Sequence, residues 1–159
     1  MERKNYDGRA KAKRYLRQVQ RSWTIARQLR EELSRLELAA TSLKSQDMGG
    51  VRVQSSASPE APFVKIAERR AEIEIKLKRK ILEHDDIRIT ILEEIQRMEK
   101  TEHIKLLTYR YVEDMSMNQI ARVMRYSLDR IKHLHIEALD AFYDCNREAV
   151  DGRFKDDTF

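Results

Sequence analysis

Apolar residues recur early in the chain at Ala12, Leu16, Val19, Trp23, Ala26, Leu29, Leu33, Leu36, Ala40 and Leu43. The steps alternate mainly between three and four, the period of one helix face, which predicts a long amphipathic, coiled-coil-like helix from about residue 9 to 45. Residues 1 to about 9 are expected to fray. The period breaks over residues 46–62, where Gly49-Gly50, Ser55-Ser56, Ser58-Pro59 and Pro62 predict a polar, flexible loop. Val51, Val53 and Gln54 alternate too briefly for a strand to be expected there. A second helix is predicted over about 61–100, with Pro59 and Pro62 at its start, where proline is tolerated. Its stripe is Phe63, Ile66, Ile73, Leu77, Ile81, Ile91, Ile95 and Met98, interrupted by Arg70, His84 and Arg88. A second line, Ile75, Leu82, Ile89 and Leu92, widens the apolar face. Two helices of about 40 residues, each ~60 Å long, joined by one loop should fold back as an antiparallel hairpin. The wider face needs further cover from the C-terminal segment or from a second copy, and a homo-oligomer through the long helices is expected.

The chain then changes character. Ser116 and Gln119 have capping-box spacing, with Met115 and Ile120 at staple positions. Ser127 repeats the signal, with Tyr126 and Ile131 as staple and Asp129 at the positive end of the helix dipole. The interval between the serines leaves room for about two helical turns and a tight bend. With a supporting helix in front, carrying Ile104, Leu107 and Tyr111 inward, this reads as a helix-turn-helix. Ile120, Val123 and Met124 should face inward from the second helix, and Ile131, Leu134, Ala138 and Phe142 from the third. Ala121 is small where two helices must approach closely. The outward residues at the start of the third helix are Leu128, Asp129, Arg130, Lys132 and His133. A plain three-helix packing module with a solvated polar face fits the same spacings. The fold class is therefore all-α: a hairpin over 1–100, a three-helix motif over 101–145, and a tail over 146–159 with Gly152 as breaker.

Composition narrows the function. Among 159 residues 37% are charged, and the net charge is +5. Residues 1–46 hold 12 Lys/Arg against 5 Asp/Glu, whereas residues 101–143 hold 6 of each. The basic excess thus lies on the first helix, where it reads either as a solvated face or as a nucleic-acid contact. No apolar run is long enough for a membrane span, and the basic N-terminus lacks the apolar core of a secretory signal, so no membrane partner is expected. The single Cys145 excludes an internal disulfide and fits a reducing cytoplasm. His133 and His135 are two apart and diverge on a helix, so they cannot ligate a metal together. Asp85-Asp86 and Glu93-Glu94 diverge likewise. With no phosphate loop, metal-ligand spacing or nucleophile motif, neither an enzyme nor a cofactor is expected.

The run from Leu106 through Tyr111-Val112-Glu113, Ser116, Gln119-Ile120-Ala121 and Met124, then Tyr126-Ser127, Arg130-Ile131, Leu134-His135 and Ala138-Leu139, resembles region 4 of sigma-70-type factors. That domain reads the −35 promoter element. The layout of most of the chain is similar to a phage and prophage regulator family related to the RinA and ArpU late transcriptional activators. The resemblance implies double-stranded DNA as partner, RNA polymerase as a possible second one, and the cytoplasm of a bacterial host. Leu128, Asp129, Lys132 and His133 would then face base edges, while Arg122, Arg125, Ser127 and Arg130 would hold phosphates. His135 occupies a position where the family carries a histidine, with packing or a backbone bond as its expected role. Arg125 departs from the glycine usual at the turn. If the turn needs a positive φ, the departure costs about 1 kcal/mol. Two other classes fit the same features: a helical adaptor or polymerase modulator whose motif binds protein, and the DNA-recognition subunit of a phage packaging machine.

Overall fold

The computed structural model describes residues 2–47 and 61–155, and every regular element among them is helical. The loop expected at 46–62 falls almost wholly outside these residues, as do Val51, Val53 and Gln54. Helix α1 spans Glu2–Leu16 and α2 spans Gln18–Asp47. The interruption at Arg17 is slight: Arg17 N–H donates to Lys13 O (3.2 Å) and Arg21 N–H to Arg17 O (3.1 Å). Helix α3 spans Ala61–Gln96, α4 Thr101–Leu107, α5 Met117–Met124, α6 Leu128–Cys145 and α7 Arg147–Lys155. A π-helical turn, Thr108–Val112, follows α4 directly.

The contacts group into two compact units, residues 22–84 and residues 1–21 with 85–159. In the first, α2 and α3 run antiparallel: Ser22 Oγ meets His84 Nδ1 at 2.8 Å, and Arg69 and Arg70 pair with Glu32 and Glu37. Ala26, Ile73 and Leu77 are buried between them. The Trp23 ring lies tilted against that of His84, with centroids 5.4 Å apart. Leu29, Leu33, Leu36, Ala40 and Leu43 are only half-buried, so the seam is thin. The widened face of α3 stays open to solvent. Ile75 and Leu82 are 60% and 66% exposed.

The other unit holds the larger core, in which Ala12, Tyr15, Leu16 and Val19 meet Ile91, Ile95 and Met98 and the apolar faces of α4, α5 and α6. The N-terminus does not fray at residue 9 as expected. Arg9 donates both Nε and Nη2 to the Asp140 carboxylate on α6, at 2.9 and 2.6 Å. Gly8 lies under Tyr143, where a Cβ would stand 2.6 Å from the ring. Nor is Gly152 a breaker: it lies within α7, whose Val150 is fully buried and whose Asp151 accepts from Lys11. A nine-residue helix survives there because buried apolar contact outweighs the cost of one helical glycine, about 1 kcal/mol.

Candidate nucleic-acid interface

The α5–α6 pair is built from local chemistry. Ser116 Oγ accepts from Gln119 N–H and Gln119 Oε1 accepts from Ser116 N–H, a complete capping box. Ser127 Oγ accepts from Arg130 N–H at 3.2 Å and opens α6. Between the two helices Arg125 adopts φ 57°, ψ 42°, the left-handed conformation. Tyr126 N–H donates to Ala121 O (3.0 Å) and Arg125 N–H to Arg122 O (3.3 Å), the paired bonds of a Schellman stop. The Tyr126 hydroxyl donates to Glu102 on α4, which clamps the turn to the supporting helix and pushes the phenol's pKa up.

The entry to α5 is equally tied. After the π turn, Asp114 takes φ 53°. Arg110 Nη1 donates to Met115 O (2.9 Å), and Gln20 Nε2 donates to Asp114 Oδ1 (2.7 Å) and Arg110 O (3.2 Å). No sequence signal marks the π turn.

Most of the expected inward residues are buried: Leu107, Tyr111, Ile120, Ala121, Ile131, Leu134, Ala138 and Phe142. Ile104 and Met124 pack half-buried against them. Val123 is a correction. It is 53% exposed, because on a two-turn helix Ile120, Ala121 and Met124 already fill the face toward α6. His135 takes the first of its two expected roles, packing. Its Nε2 meets Tyr111 Oη at 2.9 Å with the rings stacked, and burial pulls its pKa down to about 4. Burial lifts that of Tyr111 to about 12. Leu106, His103, Leu139 and Asn146 are also buried, and the three-four count does not assign them.

At the α6 amino end, Asp129, Arg130, Lys132 and His133 are exposed and Leu128 is half-buried. Arg122, Arg125 and Ser127 are exposed around the turn. Two cations lie near acids of their own helix: Lys132 Nζ is 3.7 Å from Asp129 Oδ1, and Arg130 Nη1 is 3.8 Å from Glu137 Oε1. These pairs are exposed, so they hold the side chains weakly and leave them open to exchange partners. The surface thus offers donors, an acceptor and cations from one helix end and the turn before it. Among the described residues no group of three or more His, Cys, Asp or Glu side chains is placed to hold a metal ion. No described helix is long and apolar enough to cross a membrane. Comparison of the chain with family models, with curated proteins and with solved structures finds no match.

Proposed function

We propose that the chain is a sequence-specific transcriptional regulator that binds double-stranded DNA, of the phage or prophage kind its sequence resembles. The observation that carries this reading is the capped break at Arg125–Ser127, with Asp129, Lys132 and His133 exposed on the first turns of the helix behind it. In this reading α4, α5 and α6 act as a helix-turn-helix, and the first turns of α6 enter the major groove. Lys132 donates to base acceptors, Asp129 accepts from cytosine amino groups, and Leu128 and His133 line the same contact. Arg122, Arg125, Ser127 and Arg130 meet phosphates and fix register. The exposed side of α4 and α5 is available to RNA polymerase. Residues 22–84 serve as a helical hairpin for self-association, supported by the solvent-facing apolar side chains of α3.

Selection of bound fragments from genomic DNA, followed by footprinting, tests the reading. Lys132→Ala should relax sequence preference by about 1–3 kcal/mol at one position, and Arg125→Ala should weaken all sequences alike. Equal binding by the wild type and a Lys132→Ala/His133→Ala double variant defeats the assignment.

One observation favours a second reading, a helical adaptor whose motif binds protein. Residues 101–143 carry as many acids as bases, so this segment alone draws little on the phosphate backbone.

A further inference from the structure

The near-neutral charge of the α4–α6 segment raises the question of what else in the same compact unit could hold a polyanion. Residues 1–21 of α1 and the start of α2 belong to that unit, and two sets of cations stand out along them. Arg9 and Lys11 are engaged internally, with Asp140 and with Asp7 and Asp151. Lys13, Arg17 and Arg21 follow Arg9 at steps of four along one helix face. They are exposed, and among the described residues none of the three forms an ion pair with an acid.

The path of this face past α6 can be followed through named contacts. Arg9 grips Asp140. Lys13 and Arg17 fall between this contact and the next; burial first, and then their charges with that of Arg110, disfavour a proton on His135 of α6. Beyond them Gln20 bonds Arg110 O and Asp114 Oδ1, at the elbow that leads into α5. Rising residue number on α1 therefore meets falling residue number on α6. On α6 itself Leu128, Lys132 and His135 share one stripe by the three-four rule, so the cations around His135 continue the line that Lys132 begins. Arg110, whose guanidinium is held on Met115 O, closes the strip at the α5 side.

We propose that Lys13, Arg17 and Arg21, with Arg110, form a second phosphate-binding strip that holds the flank of a DNA duplex beside the α6 amino end. This rests on the DNA reading above and adds to it the missing source of affinity. The residues of this strip read no bases. They neutralise phosphates next to the site that Lys132 and His133 read, so their contribution is sequence-independent and salt-sensitive.

The test is the salt dependence of binding to short random-sequence duplexes, measured on the full chain. Every phosphate left without its cation lowers the slope of log K against log salt by about 0.9, so Lys13→Ala/Arg17→Ala/Arg21→Ala should flatten it by roughly 2 to 3. Weakening should be at least about tenfold at low salt and equal for every sequence. A control, Lys76→Ala/Lys78→Ala/Arg79→Ala on the exposed side of α3, should leave the slope unchanged. All six positions are solvent-exposed, and unchanged helical circular dichroism confirms that the variants fold. A wild type that binds with a slope the Lys13/Arg17/Arg21 variant retains overturns the strip alone. An equal weakening in the control also overturns it, by reducing the effect to bulk charge. A wild type that binds no duplex sinks both the strip and the DNA reading.

Discussion

At the scale of single residues, Arg125 and His135 each lead to a test of stability. Arg125 holds a left-handed conformation that costs a side-chain-bearing residue about 1 kcal/mol. Arg125→Gly should therefore raise stability by up to about 1 kcal/mol in denaturant unfolding, while weakening DNA binding at all sequences. A gain in both would separate Arg125 from phosphate contact. His135 is the second. Its folded pKa of about 4 lies below the usual 6.5, so the unfolded chain binds the proton first as pH falls. Stability contributed by the neutral ring is complete above pH 6.5 and is lost progressively toward pH 4, by roughly 3 kcal/mol at about 1.4 kcal/mol per unit. His103, also depressed by burial, acts in the same direction. Glu94, raised by burial where it accepts from Tyr15, acts in the opposite one. Unfolding of wild type and His135→Gln compared between about pH 7 and 4.5 isolates the term: the variant should show the shallower acid slope. Parallel profiles would refute it.

At the scale of elements, local signals and packing had different success. The serine caps were legible because a cap uses only residues within three positions of itself, and both form. The faces of α4 and α6 were legible for a related reason, since helical periodicity dictates which side chains share a side. What escaped was set by distant partners. Helix α1 is ordered because Arg9 finds Asp140, and Tyr15 finds both Glu94 and the Phe142 ring. Helix α7 persists through Gly152 because Val150 is buried. Gly8→Ala tests the docking of α1. The methyl would strike the Tyr143 ring, which Asp151 and Arg147 hold in place, so a helix-favouring substitution should instead destabilise by about 1–3 kcal/mol. A more stable Gly8→Ala protein would mean that α1 is not packed there.

At the scale of the whole molecule, the open side of α3 sets the expected assembly. Ile75 and Leu82 stand seven residues apart, the repeat of a coiled-coil seam, and stay more than half exposed. Light scattering on the wild type should give a mass above that of one 18.9 kDa chain, and Leu82→Glu should return it toward the monomer. A monomeric wild type at working concentration removes the proposed self-association. The sequence by itself determined the helical class, both serine caps and most of the inward face of residues 101–145, because helix period and capping are short-range properties of the chain. Only the tertiary structure decided that α1 joins the C-terminal helices, that a π turn and a left-handed Asp114 lead into α5, and that His135 is a buried partner of Tyr111. Each of these depends on groups distant in sequence, whose burial and hydrogen bonding exist only once the chain has folded.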